Sequence, residues 1–188
     1  MVFVAVMSAL GNVFSFLSIK VAPLVPSMPL GVMTISLAFD LSHTTTFISS
    51  LFGGPILGGL TGLVGGLVAA YEFGFSQGNF ITGFGLPVGK ALTGLTAGLI
   101  MRRLNLLNRH RLKVIAATVC SYLPEGLYTA ILFIFVLQPV FHIPSLVVYI
   151  LTAEILVKAF IEMVVMGLIL AALLGNRGFS EYVRGFFA

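Results

Sequence analysis

The stretch Ser49–Tyr71 reads SSLFGGPILGGLTGLVGGLVAAY and carries no charged residue. Gly54, Gly58, Gly62 and Gly66 recur in it every four residues. On a helix that spacing makes one smooth face, and such faces let helices approach closely in lipid. Gly53-Gly54-Pro55 is a tight break. A helix is therefore expected from Ile56 to Tyr71, with its glycine face used for packing.

The rest of the chain has the same character. Of its 188 residues, 59% are hydrophobic and 9% are charged. A soluble domain averages about 25% charged residues, so too few charges are present to cover a water-facing surface. Spanning takes about 20 apolar residues per helix. Five further spans are expected around the first, roughly Val2–Ile19, Leu30–Phe52, Leu86–Met101, Val114–Leu137 and Leu146–Leu174. The expected fold is an all-α integral membrane protein with six transmembrane helices in one domain, 1–188. Met1–Leu10 has no basic n-region and reads as the start of a span, not as a cleaved signal.

Two kinds of punctuation separate the spans. Lys20–Pro29 contains Pro23, Pro26 and Pro29 and should be extended and stiff. Glu72–Gly85 is rich in Gly and Phe and carries Gln77 and Asn79. The loop Arg102–Lys113 holds four arginines and one lysine, and the tail adds Arg177 and Arg184. The loops on the other side carry Lys20 alone. The positive-inside rule then places both termini in the cytoplasm and the proline, Gln77/Asn79 and His142 loops outside.

Ionisable residues inside spans are costly and mark functional sites. Asp40, Lys90, Glu125, Glu154, Lys158 and Glu162 all fall in apolar runs, with His43 near Asp40. At about 1.5 Å rise per residue, Lys90 lies roughly 6 Å below the outer end of its helix. Asp40 and Glu154 lie roughly 12–15 Å deep by the same rise, and Glu125 also reaches the outer half. Pro124 breaks its helix beside Glu125, and broken membrane helices line cavities. Tyr128 follows on the same segment, and Tyr122 is a weaker candidate. Glu154, Lys158 and Glu162 are spaced four apart and share one helix face. The expected binding set is Asp40, His43, Gln77, Asn79, Lys90, Glu125, Tyr128, Glu154 and Lys158. Lys158 and Glu162 could equally pair as a structural stripe.

Several chemistries are not expected. No nucleotide-binding loop is present. No nucleophile, base and orienting group occur together, so catalysis is not expected. His and Cys do not cluster at ligand spacing, so no metal or cofactor is expected. His110 and His142 read as solvated loop residues. The basic residues act as topology signals, not as a nucleic-acid surface.

The ordered set of local stretches resembles the substrate-binding S-components of energy-coupling factor (ECF) vitamin transporters. PLGVMTISLAF (29–39) and the opening stretch look like that family's second and third helices, and PVGKALTGLTAGLIMRRL (87–104) like its fourth. Ala5 and Ala9 form an AxxxA pattern on the first helix. The resemblance implies that this face contacts a transmembrane coupling subunit, and that two ATPase subunits drive uptake. It implies a lid at Lys20–Pro29 over a water-soluble vitamin or related precursor, in the plasma membrane. Position 2 is Val where the cobalt and nickel members carry a metal-binding histidine, so metal uptake is not expected. FDLSHTTTF (39–47) matches no vitamin specificity. The competing reading is a structural scaffold of the cell-envelope machinery, which would not need buried Asp40, Lys90, Glu125 and Glu154.

Overall fold

A computed structural model of the chain describes residues 1–25, 27–30, 33–36, 39–106 and 111–186, with backbone alone for 27–30 and 33–36. Pro26 and His110 lie outside the described residues. Among the described residues, five helical stretches are long and apolar enough to cross a membrane: Val2–Leu24, His43–Gln77, Phe80–Arg103, Arg111–Phe141 and Ser145–Gly175.

The first stretch is α1 (Val2–Val21), closed by a 3-10 turn at Ala22–Leu24 that accommodates Pro23. The chain then forms an antiparallel hairpin, β1 (Ser27–Leu30) and β2 (Met33–Ser36), with Ser27 opposite Ser36 and Leu30 opposite Met33. This corrects the helix expected from Leu30. A short apolar run is compatible with either helix or strand, and here pairing with β1 satisfies its backbone. The helix begins instead at His43, as α2 (His43–Gly65).

Gly54 interrupts α2 with φ 82° and ψ −172°. Only glycine occupies this region at little cost. The chain doubles back there. Ser50 Oγ donates to the Gly94 carbonyl at 2.8 Å, and a side chain on Gly58 would strike both Ser50 and that carbonyl. On a straight helix, residues eight apart stand about 12 Å apart along the axis. The returning leg and α3 (Leu67–Phe73) run against α4 (Phe80–Arg103). A Cβ on Gly62 would run into the Lys90 carbonyl, and one on Gly66 would lie 3.0 Å from Pro87 Cα. The glycine face thus packs as expected, except that Gly54 makes the reversal.

Helix α4 starts earlier than Leu86 because Asn79 caps it, accepting from the Thr82 N–H at 3.0 Å. Glycines then allow close packing: a Cβ on Gly74 would strike the Gly83 backbone, and one on Gly83 would strike the Phe75 ring. The fifth stretch of the sequence is segmented into α5 (Arg111–Ser121) and α6 (Leu123–Ile131), with Pro124 in the first turn of α6. A π-helical turn, Leu132–Leu137, and α7 (Gln138–Phe141) follow, ending at His142 in a left-handed conformation. The long α8 (Ser145–Gly175) and the short α9 (Arg177–Arg184) complete the chain.

The bundle is filled at one end only. Phe3, Phe47, Met101, Met163, Met166, Leu170 and Val183 form a buried core there. It sits by the C-terminal ends of α4 and α8. Gly175 lies beside the Arg111 guanidinium, and Phe179 meets Phe52 edge-on, so Arg111 and the tail residues Arg177 and Arg184 lie at this filled end. The opposite end is hollow.

Candidate functional site

The hollow is a cavity of about 530 Å³. It lies between the C-terminal part of α1, the lead-in to α2, the N-terminal part of α4, the α6–π segment and α8. Most of its wall is apolar, including Phe73, Leu86, Phe133, Leu137, Leu151 and Ile155. Phe133 and Leu137 come from the π-helical turn, an irregularity that recurs at functional sites.

One region of the wall is charged, and its groups are joined. Lys90 Nζ lies 3.2 Å from Asp40 Oδ2 and also donates to Ser15 Oγ at 3.4 Å and to Ser42 Oγ. Ser15 and the Ser42 N–H donate to the Asp40 carboxylate. Ser42 sits at the cap position of α2, yet its hydroxyl serves Lys90 instead of capping. Asp40 precedes the helix. Burial opposes its ionisation, but the charges of Lys90 and His43 and the donors of Ser42 outweigh that and hold its carboxyl below the usual carboxylate range.

A second group centres on Glu125. Its Oε2 accepts from Thr93 Oγ1 at 2.5 Å and lies 3.3 Å from His43 Nε2. His43 and Glu125 are both buried, so each offsets part of the other's desolvation. The third group joins α8 to the lead-in of α2: the Asp40 N–H donates to Glu162 Oε1 at 3.1 Å. Lys158 stands one turn away, 3.8 Å from that oxygen. Ser18 Oγ adds a bond to the Phe39 carbonyl at 2.9 Å. The segment 39–43 is thus held by α1, α4, α6 and α8 together.

Of the residues expected from the sequence, Asp40, His43, Asn79, Lys90, Glu125 and Lys158 line this one cavity. Gln77, Tyr128 and Glu154 do not. Gln77 is exposed in a 3-10 turn beside it. The Tyr128 hydroxyl lies towards Gly85 on α4. Glu154 is half-buried on a different part of α8. Ala5 and Ala9 are both exposed on the outer face of α1. Ser15, Ser18, Thr93 and Glu162 were absent from the expected set. Ser8, Asn12, Ser15 and Ser18 are spaced three or four apart. That polar stripe on an apolar helix was the available signal for the inward face of α1. Among the described residues, no three His, Cys, Asp or Glu side chains stand close enough to hold a metal ion.

No family model and no curated protein sequence matches the chain. In structure it is similar to the S component of a bacterial ECF transporter, with a TM-score of 0.55 and 17% identity. The likeness covers 99% of this chain and 95% of that one. The two chains share a fold over nearly their whole length.

Proposed function

We propose that this chain is the substrate-binding membrane subunit of an ECF-type importer for a water-soluble vitamin or related small precursor. The observation that carries this is the cavity. A hollow of about 530 Å³ falls within the roughly 300–1,000 Å³ usual for sites that enclose a small molecule. Buried ionisable groups from four parts of a membrane bundle converge on it, and such groups mark binding sites by default. The shared fold with an S component agrees with that use. A scaffold would gain nothing from keeping these charges around a void.

The remaining assignments follow from the same reading. Counting the two legs either side of Gly54 as separate helices gives six. Arg111, Arg177 and Arg184 lie at the filled end, so the positive-inside rule puts that end and both termini in the cytoplasm. The cavity then opens to the outside, beneath the hairpin and the Lys20–Pro29 segment acting as lid. Ala5 and Ala9 expose the small-residue face that would meet a coupling subunit. ATP hydrolysis falls to two partner subunits, and the chain itself is no enzyme. Affinity purification of the tagged chain from native membranes tests this. The expected result is co-purification of one membrane subunit and two ATPases. Recovery of envelope-assembly proteins instead would favour the scaffold.

A further inference from the structure

The polar atoms around the cavity differ in what they can still bind. An ammonium has three N–H donors, and Lys90 places all of them on Ser15, Asp40 and Ser42. Asp40 accepts from Lys90, Ser15 and Ser42 in return. That corner is self-satisfied and offers nothing to an anion. Glu125 is different: its Oε2 serves Thr93 and His43, while its Oε1 has no hydrogen-bond partner among the described residues. Glu162 spends Oε1 on the Asp40 N–H and the neighbouring Lys158, and its Oε2 likewise has no such partner. Neither oxygen is among the fully enclosed orphan atoms, so both keep access to open space.

The charge balance points the same way. Three carboxylates, Asp40, Glu125 and Glu162, line the cavity against two lysines, Lys90 and Lys158, and His43; with the imidazole neutral the lining carries one net negative charge. The segment 26–38 contains no ionisable side chain, so it cannot alter that balance. While His43 is neutral, an anion placed here would add to that negative charge in a poorly solvated site. A cation offsets it, and its N–H groups match the two free acceptors. The surrounding wall, with Phe73, Leu86 and Phe133, suits an apolar ring.

We infer that the cavity takes a ligand with an apolar ring and a protonated nitrogen head, held by the free oxygens of Glu125 and Glu162. This deepens the binding-subunit reading and rests on it.

The test uses the full chain in detergent and three probes with the same ring: benzamidine, benzamide and benzoate. Their heads are cationic, neutral and anionic. Calorimetry should show benzamidine binding at least tenfold tighter than the other two. Glu125→Gln and Glu162→Gln should each weaken it at least tenfold, because a glutamine keeps an acceptor but loses the charge. The melting temperature of each variant without probe checks that it is folded; if one variant is not, the other decides. Benzoate binding as tightly as benzamidine, equal binding of all three, or binding of none would overturn the inference. A co-purified compound that is neutral or anionic would overturn it too, while leaving the binding-subunit reading standing.

Discussion

Lys90 Nζ stands 3.2 Å from Asp40 Oδ2, joining the buried wall of α4 to the segment that leads into α2. Residues 50 positions apart are fixed to each other at the edge of the cavity. Removing one partner leaves the other's charge without compensation. Lys90→Met should therefore destabilise the protein by about 3 kcal/mol, at the low end for a broken buried pair. Asp40 is the more exposed partner, so the low end applies. Thermal unfolding in detergent measures this, and the double variant Lys90→Met/Asp40→Asn should recover much of the loss. No loss in the single variant would mean the pair contributes little.

The same pair sets a pH dependence. The Asp40 carboxyl titrates below its unfolded value, so its contribution is fully present above about pH 3.9. It is lost as pH falls through the folded value. The stability difference between wild type and Asp40→Asn should be constant from pH 5 to 7 and shrink in stronger acid. A difference that grew on acidification would contradict the assignment.

Two glycines should fail for different reasons. Gly54 has open space around it but sits at φ 82°. Gly54→Ala should cost about 1–3 kcal/mol through backbone strain alone. Gly62 has ordinary helical backbone but lies against the Lys90 carbonyl. Gly62→Ala should cost about 1–3 kcal/mol by forcing α2 and α4 apart. Because Gly62 positions Lys90, it should also weaken ligand binding, which Gly54→Ala should affect less. Unfolding and binding measured on both variants separate the two mechanisms.

Glu154 and Lys158 divide on ligand binding. Glu154 does not line the cavity, and Lys158 does. Glu154→Gln should leave affinity for the native ligand within about twofold, well under the 1.4 kcal/mol that makes a tenfold change. Lys158→Met should change it several-fold. The reverse order would place the ligand elsewhere on α8.

Ala5 and Ala9 are exposed on α1 and do not line the cavity. Replacing both with Leu should abolish uptake in cells while leaving ligand binding by the purified chain unchanged. Loss of binding would argue that this face supports the fold and not a partner.

Much of the architecture was legible because membrane spans announce themselves by length and composition. The glycine face of Gly58, Gly62 and Gly66 was readable because small residues at that spacing have one main use in lipid. The hairpin was not: Met33-Thr34-Ile35-Ser36-Leu37 alternates with the strand period, but the alternation is short and lies inside a run apolar enough to read as a span. The start of α4 was missed because the Gly- and Phe-rich segment from Phe80 looks like a loop, and only Asn79 in the cap position betrays the helix. Asp40, Lys90 and Glu125 were found because charge inside an apolar run stands out. Glu154 and Glu162 share a face by spacing, yet they are two turns apart on a helix whose neighbours change along its length. Sequence spacing fixes the face, and only packing fixes which turn meets the cavity.

On the proposed function, the hollow between α1, α4, α6 and α8 holds a small molecule. Native mass spectrometry of the full chain released from detergent tests it most directly. One bound compound should appear at one-to-one stoichiometry in the wild type, and it should be absent from a folded Ala159→Phe variant, whose new ring intrudes on the cavity that Ala159 lines. An equal amount of compound on both proteins, or none on the wild type after exposure to a panel of water-soluble vitamins, would contradict it.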